Sequence, residues 1–356
     1  MLFEKYKSTA ILLACFLCSI FLVTLLQVYS VKMNENANSF VRLTPPHIID
    51  TYKDLVLGKK GFYIIGINRN KVLLGNYFDP AKLFLTDSSL SEIKKYPLNI
   101  GSFELTESSN VHLSLDSPYF YLNNFTTGAI LRGSISNPSD KLTVLDTANI
   151  STSIFLPYCG NKFAVRTFIP RLNKNVLGRL TTNQSSIFLS PEVLEPQIDG
   201  VFSTDGMLRF DPSSSTFVYT YFYRNQFICL NDQLMILYRG HTLDTNVHAK
   251  IKVRKIDENK STLSSPGFNV NRESCINKNW IFINSDMKAD NDSEQVSRDY
   301  AAIDVYNLKD GKYHFSFYLL KKVGNISSMV MAGNTIYTIQ ETTLCANTLN
   351  FNSIKM

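Results

Sequence analysis

The sequence from Asp199 to Arg239 reads DGVFSTDGMLRFDPSSSTFVYTYFYRNQFICLNDQLMILYR, and in it apolar and aromatic runs alternate with turn-forming residues. The runs are separated by DG, DPSSS, RN and ND, which favour tight turns. The pattern predicts four short antiparallel strands, at Met207–Phe210, Thr216–Tyr223, Gln226–Leu230 and Leu234–Tyr238. A four-stranded meander of about 40 residues is the unit of a β-propeller blade.

Five further units of this kind follow one another along the chain. Counting the first unit with them, the strongest strands lie at Phe62–Arg69, Pro118–Phe125, Asn161–Phe168, Thr216–Tyr223, Asn279–Asp286 and Asn334–Glu341. Their first residues are 43 to 63 positions apart, near the period of propeller blades. A blade cannot bury both of its faces alone, so the six units form one domain. We therefore predict an all-β, six-bladed β-propeller over residues 40–356, with a β-sandwich or a seven-bladed ring as the alternatives.

The two ends of this domain complement each other. Few residues remain after Leu349, so the sixth unit lacks an outermost strand, while Phe40–Leu43 (FVRL) has no blade of its own. Pairing the two would close the ring and remove an exposed edge.

The N-terminus carries a long uncharged segment, Thr9–Tyr29. At about 1.5 Å per residue its length matches a hydrocarbon core of about 30 Å. Lys5 and Lys7 precede it, which favours a cytoplasmic N-terminus. The predicted organisation is a short cytoplasmic N-terminus (1–8), a transmembrane helix (9–29), a linker (30–39) and the propeller (40–356). A cleaved signal peptide and a lipidated Cys15 are the alternatives.

An exported domain lies in an oxidising compartment, where cysteines can form disulfides. Buried free thiols within the strands are the favoured interpretation. If a disulfide does form, Cys229 and Cys275, which belong to neighbouring units, are the expected pair. The net charge of +6 comes from scattered basic residues. The densest basic group, in AKIKVRKI (Ala249–Ile256), is interpreted as a solvated strand face. Nucleic-acid binding is therefore not predicted.

The repeat period, the YFYRN hairpin at Tyr221–Asn225 and the membrane-anchored layout resemble those of TolB-like and NHL-like six-bladed propellers. More narrowly, the chain resembles uncharacterised membrane-anchored bacterial cell-envelope proteins of this architecture. The resemblance covers residues 40–356 and implies recognition of a ligand or a protein at the faces of the ring. Hydrolytic six-bladed relatives hold a channel calcium with Glu, Asn and Asp from different blades. No cofactor is expected for a binding propeller, and calcium is the one candidate if the chain is such a hydrolase.

No catalytic motif emerges from the sequence. The acidic loop Asp286–Glu294 is rich in oxygen ligands, but it lacks the glycine and the spacing of an EF-hand. The predicted binding residues lie in two polar loops beside the aromatic strand: Arg224, Asn225, Arg239, His241 and Asp244. His241 and Asp244 could form an acid–base pair, but no motif places a nucleophile beside them.

The sequence thus favours a non-catalytic binding propeller, tethered to the membrane through residues 9–29, that faces the periplasm or the exterior. Its expected partner is a protein, a peptide or a small ligand of the cell envelope. The alternative is a calcium-assisted hydrolase or lactonase of the six-bladed type. A structural subunit of an envelope complex would share the same architecture.

Overall fold

The computed structural model describes residues 11–27, 39–101, 110–147, 150–182, 186–256 and 261–351. In this part of the chain, six antiparallel four-stranded sheets and one separate two-stranded hairpin form. A helix, α1, covers residues 11–27, and a short second helix, α2, covers Glu294–Asp299.

The six sheets follow one another along the chain as blades 1 to 6. Blade 1 contains β2 (Phe62–Asn68), β3 (Lys71–Asn76), β4 (Lys82–Asp87) and β5 (Lys94–Pro97). Blade 2 contains β6 (Val111–Asp116), β7 (Tyr119–Asn124), β8 (Ala129–Ser134) and β9 (Thr143–Thr147). Blade 3 contains β10 (Ile154–Cys159), β11 (Lys162–Ile169), β12 (Lys174–Thr181) and β13 (Ser186–Ser190). A short 3-10 helix, Pro170–Leu172, joins β11 to β12.

The last three blades follow the same pattern. Blade 4 contains β14 (Gly206–Asp211), β15 (Thr216–Tyr221), β16 (Gln226–Leu230) and β17 (Ile236–His241). Blade 5 contains β20 (Asn271–Asn277), β21 (Trp280–Ser285), β22 (Tyr300–Asn307) and β23 (Tyr313–Leu320). Blade 6 contains β24 (Ile326–Ala332), β25 (Thr335–Gln340), β26 (Thr343–Leu349) and, as its outermost strand, β1 (Ile49–Val56). The separate hairpin is β18 (Val253–Lys255) with β19 (Ser261–Leu263).

The first strands of the six blades contact one another in a closed circle, in the order β2, β6, β10, β14, β20, β24 and back to β2. The six-bladed all-β propeller predicted from the repeats is therefore confirmed. We call the end of the ring at which these inner strands begin the upper face. The connections between blades, and those between the second and third strands of each blade, lie on the upper face.

Each interface between neighbouring blades holds its own apolar cluster. The interface of blades 4 and 5, for example, buries Phe227 and Ile281, and that of blades 6 and 1 buries Ile339 and Leu74. Successive side chains of a strand point to opposite faces of its sheet, so a strand packed between two blades is apolar on both faces. The aromatic strand β15 is fully buried for this reason.

The ring is closed by a different strand from the one predicted. β1, at Ile49–Val56, pairs antiparallel with β26, whereas Phe40–Leu43 forms no strand. The segment from Ser39 to Leu43 instead binds the upper face of blade 5, where the Phe40 carbonyl accepts from the Asp290 N–H. The closing strand has a mostly exposed, polar pattern, because an outermost strand has no neighbour on its outer edge.

Cys229 and Cys275 are free and buried, as the favoured interpretation of the sequence has it, and the alternative disulfide between them does not form. Cys229 packs in the cluster between blades 4 and 5, and Cys275 packs in the cluster between blades 5 and 6. The two thiols therefore lie on opposite sides of blade 5. A disulfide requires Cα atoms within about 7 Å of each other and Cβ atoms that face each other.

The predicted membrane anchor, 9–29, overlaps helix α1, a helix of 17 residues. No helix among the described residues combines the length and the apolar character that crossing a bilayer requires. Most of the predicted linker, 30–39, and the whole predicted N-terminus, 1–8, lie outside the described residues. The anchor stays a prediction.

Candidate functional site

The central channel holds a cavity of about 460 Å³. The inner strands of all six blades line it, and Tyr77 and Phe125 add their rings from upper-face loops. Ligand sites in proteins typically measure about 300–1,000 Å³ and are largely apolar with a few polar groups. This channel fits that description, because aliphatic and aromatic side chains and methionines make up most of its lining.

Three inner strands carry a β-bulge near their upper ends. The pairing register shifts between Ile64 and Gly66 in β2, between Asn271 and Glu273 in β20, and between Ile326 and Ser328 in β24. A bulge changes the direction of nearby side chains and is common beside binding sites. The bulge in β20 immediately precedes Glu273, a charged residue of the channel lining.

Arg209 of β14 and Glu273 of β20 form an ion pair inside the channel. Arg209 Nη2 donates to Glu273 Oε2 at 2.7 Å, Nε donates to the Ser274 carbonyl at 2.6 Å, and Nη1 donates to the Leu208 carbonyl at 3.1 Å. A guanidinium has five N–H groups, so two remain to bind a ligand. Burial raises the pKa of Glu273, although the charge of Arg209 counteracts that rise.

Four rings stack along one side of the upper channel. His112 lies 4.2 Å from Tyr63, centroid to centroid, and 5.8 Å from Phe125, with near-parallel planes in both cases. The Tyr77 ring contacts both Tyr63, at 4.5 Å, and His112, at 5.9 Å. Burial, together with the positive charge of Arg209, lowers the pKa of His112 to about 4. The imidazole is therefore neutral at pH 7.

Ser114 adds an unused polar group. It lines the cavity from β6, is only 6 % exposed, and its hydroxyl has no hydrogen-bond partner among the described residues. A buried hydroxyl without a partner costs about 1–3 kcal/mol. A ligand that hydrogen-bonds Ser114 would remove that cost.

The channel does not provide the donor set of a calcium site. Calcium takes six to eight oxygen ligands, most of them carboxylates and carbonyls. Among the described residues that line the cavity, Glu273 is the only carboxylate, and it is paired with Arg209. No group of three or more metal-binding side chains occurs in the described part of the chain.

Three of the predicted binding residues are buried where the connection between blades 4 and 5 leaves blade 4. The Arg224 guanidinium stacks 3.6 Å over the Tyr221 ring and donates to the Glu195 carbonyl. The Asn225 amide donates to the Asp244 carbonyl at 2.5 Å. The Asp244 carboxylate accepts from the Thr242 hydroxyl and from the Asn246 backbone N–H. The structure thus brings these residues together, and their side chains bind other parts of the chain.

The other two predicted residues lie at the surface of the same region. Arg239 pairs with Glu195 at 2.8 Å on the side of blade 4. His241 is exposed, and its Nδ1 lies 3.5 Å from the Asn225 side-chain oxygen. Among the described residues no nucleophile contacts His241, and the Asp244 carboxylate is bonded to Thr242 and Asn246, so these residues form no acid–base pair. A binding role for the five residues stays a prediction.

The acidic loop Asp286–Glu294 binds a guanidinium. Asp292 accepts from Arg42 Nη1 at 2.6 Å, and Asp304 of β22 accepts from Arg42 Nε at 2.8 Å. Asn291 exchanges two hydrogen bonds with the Arg42 backbone. Burial opposes the charge of Arg42, but Asp304 and Asp292 outweigh that effect and raise its pKa. The oxygen-rich loop is therefore used to hold the N-terminal segment.

Arg209, Glu273, His112 and Ser114 were missed at the level of sequence. The usable signal was a charged or imidazole side chain inside a short apolar strand, as in MLRF, NRESCI and VHLSL. That signal identifies the channel only when the strand is known to be the first of its blade, because outer strands also carry such residues. The sequence pattern does not number the strands within a blade.

No protein-family model matches the sequence. No curated protein matches it either. Among solved structures, a member of the DUF4221 family from Bacteroides vulgatus is 12 % identical with a TM-score of 0.50, covering 87 % of this chain and 99 % of that one. A protein of unknown function from Bacteroides thetaiotaomicron is 11 % identical with a TM-score of 0.52, covering 88 % and 76 %.

A gluconolactonase from Xanthomonas campestris is 11 % identical to this chain, with a TM-score of 0.50 and coverage of 88 % and 97 %. Similarity at this level of identity shows the shared propeller fold and nothing about function. The assignment to the TolB-like or NHL-like subgroup stays a prediction.

Proposed function

We propose that this protein is a non-catalytic binding propeller whose channel takes a small, neutral ligand through the upper face. The observation that carries the proposal is the cavity with its Arg209–Glu273 pair and the unpartnered Ser114 hydroxyl. These groups offer donors and acceptors side by side within an apolar wall. Such a wall supplies affinity, and the few polar groups orient the ligand.

The neutrality of the ligand follows from the charges of the lining. Arg209 and Glu273 cancel each other, and His112 carries no charge at pH 7 because its pKa is about 4. A charged ligand would lose its hydration without meeting a net opposite charge. A neutral molecule with hydroxyl or amide groups would satisfy both partners of the pair.

The hydrolase alternative lacks support in the channel. Its calcium would need several carboxylate or amide oxygens, and the described lining offers one carboxylate that is already paired. We expect millimolar calcium or a chelator to leave the melting midpoint unchanged. Calcium-dependent hydrolysis of a lactone or ester by the purified chain would contradict the proposal.

We further propose that residues 9–29 tether the propeller to a membrane, so that the domain faces the periplasm or the exterior. The uncharged character of Thr9–Tyr29 and the helix over 11–27 support this. The full chain should stay in membranes during an alkaline carbonate wash and keep its N-terminal residues by mass spectrometry. Release into the wash would contradict the tether, and a shortened mass would support a cleaved signal peptide.

Binding is tested by thermal shift with small molecules matched in size and different in charge, such as glucose, gluconate and glucosamine. A ligand that binds only the folded state raises the melting midpoint. We expect neutral members of the panel to do so, and we expect Glu273→Gln to abolish the effect. Glu195→Gln, which breaks the surface pair with Arg239, is the matched control. Stabilisation by charged members alone, or equal binding by Glu273→Gln, would overturn the proposal.

A further inference from the structure

The described part of the connection between blades 4 and 5 (242–270), residues 242–256 and 261–270, forms a separate layer on the upper face. It contains the hairpin β18–β19, which pairs with no blade. The Gln197 side chain fixes its first part by hydrogen bonds to the Val247 carbonyl and the Ala249 N–H. Its last part is fixed by the Val270 N–H, which donates to the Phe222 carbonyl at 2.7 Å. The layer therefore has a defined inner side and a defined outer side.

The outer side is basic. Ala249 and Ile251 are buried, and the alternating residues Lys250, Lys252 and Arg254 are exposed. Lys255 is exposed as well. These four basic side chains form no ion pair with any other described residue, whereas the half-buried Arg209, Arg239 and Arg272 each pair with a carboxylate.

Exposed apolar side chains accompany the basic ones. Val247, Ile256 and Phe268 are 49 %, 55 % and 43 % exposed, and the Lys250 ammonium lies 5.0 Å from the centroid of the Phe268 ring. Basic side chains beside exposed phenylalanine and aliphatic residues are typical of surfaces that bind a membrane interface. The ammonium and guanidinium groups attract anionic headgroups, and the apolar side chains enter the boundary with the acyl chains.

Several acidic side chains of the upper face are already paired with basic residues outside the connection. Asp292 is neutralised by Arg42, Asp286 by Arg272, and Glu294 by Lys288. Glu195 and Asp205 are likewise paired, with Arg239 and Arg166. The four basic residues of the connection therefore carry charge that no ion pair among the described residues neutralises.

The N-terminal segment fixes the distance between this surface and the proposed tether. Phe40 packs against Val270, Met287 and Ala289, with Leu243 at the edge of the same cluster. Ser39 thus lies beside the 242–270 connection. Residues 28–38 join it to helix α1 and span at most about 40 Å when fully extended. A tether at residues 9–29 would hold the upper face of blade 5 within that distance of a membrane.

We propose that the outer side of the 242–270 connection binds the anionic phospholipid headgroups of the membrane that holds residues 9–29. This inference rests on the proposed tether. The occupant is lipid because the basic and apolar side chains occur together and the tether emerges beside them. Bound in this way, the upper face turns toward the bilayer, and so does the mouth of the channel.

The test uses the full chain in vesicles of phosphatidylcholine, with or without phosphatidylglycerol, and a membrane-impermeant reagent that acetylates lysine. Lys250, Lys252 and Lys255 should react several-fold more slowly in the anionic vesicles, and molar salt should abolish the difference because it screens charges beyond about 3 Å. Lys162 and Lys278, exposed at the opposite end of the ring, should react equally in both.

A variant pair strengthens the test. A fourfold variant should lose the lipid-dependent protection of residues 247–268 in hydrogen exchange. It combines Lys250→Gln, Lys252→Gln, Arg254→Gln and Lys255→Gln. The matched control replaces Lys162, Lys278, Lys309 and Lys312 by glutamine, which removes the same charge from the opposite end. The control should retain the protection.

The outcomes separate this inference from the tether. Loss of the chain from vesicles in a carbonate wash would refute the tether. Retention of the chain with equal acetylation in both vesicle types would refute the lipid contact alone. Protection by soluble polyglutamate, but not by phosphatidylglycerol, would assign the surface to an acidic macromolecule and would also refute the lipid contact.

Discussion

At the residue scale, Arg42 shows how a single side chain can fix a whole segment. Its guanidinium is buried and bonds to Asp292, Asp304 and the Met287 carbonyl. Fully buried arginines are rare unless they are paired. In the sequence, Arg42 stands in FVRLTPP, where nothing distinguishes it from an exposed residue. Its partners are about 250 positions away, so no local pattern could have predicted the network.

We predict that Arg42→Met lowers the free energy of unfolding by about 3–5 kcal/mol, because it leaves two buried carboxylates without a counter-charge. Urea denaturation of the purified chain measures the change. Adding Asp292→Asn and Asp304→Asn to Arg42→Met should recover part of the loss, since the uncompensated charges are then removed.

The control is Lys59→Met, which breaks the solvent-exposed pair with Asp79. Exposed pairs contribute about 1 kcal/mol or less. If Arg42→Met costs no more than Lys59→Met, the buried network does not stabilise the fold.

At the element scale, the closure of the ring depends on a strand that has no apolar pattern in the sequence. β1 is IDTYKDLV, and its pairing with β26 is regular from Thr51 to Val56. An outermost strand is exposed on its outer edge and largely on both faces, so apolar residues are not required there. The closing strand was instead predicted at Phe40–Leu43, because that segment is more apolar. The same reason explains why β5, KKYP, was not predicted.

We predict that Lys53→Pro with Asp54→Pro opens the ring. Adjacent residues of an antiparallel edge strand alternate in donating to the neighbour, so two consecutive prolines remove at least one ladder bond. The melting midpoint should fall by several degrees, and the β26 amides should exchange faster with deuterium.

The matched control is Lys94→Pro with Lys95→Pro in β5, which is also an outermost strand but closes nothing. In this control the β4 amides should exchange faster with deuterium, while the amides at the interface of blades 6 and 1 should keep their slow exchange. Equal loss of protection at that interface in both variants would contradict a special role for β1.

At the scale of the whole molecule, six repeats in the sequence were enough to predict the architecture. The four strands predicted in Asp199–Arg239 correspond to β14–β17, with ends that differ by at most three residues. The channel was not predictable in the same way. The four polar residues of the candidate site come from blades 2, 4 and 5, and their proximity depends on how the inner strands are ordered around the ring. The burial of Arg224 and Asn225 depends on the path of residues 242–270, a long connection without a repeat partner.

We predict that the propeller carries no disulfide and that its cysteines differ in reactivity. Cys159 is exposed, while Cys229, Cys275 and Cys345 are buried, and burial raises the pKa of Cys229 to about 11. Iodoacetamide should therefore modify Cys159 in the native chain and the other three only after unfolding. Mass spectrometry of peptides from a non-reducing digest checks this. A peptide joining Cys229 to Cys275, or a melting midpoint lowered by dithiothreitol, would contradict it.

The pairing of β1 with β26 also sets the order in which the protein can be completed during synthesis. Among the described strands β1 leaves the ribosome first and β26 last, so the first strand has no partner until the other blades have been made. A contact between such distant segments forms slowly, and unpaired edges are prone to aggregate in the meantime. The polar, charged sequence of β1 is an advantage before β26 has been made. Lysine and aspartate on an unpaired strand discourage other chains from pairing with it.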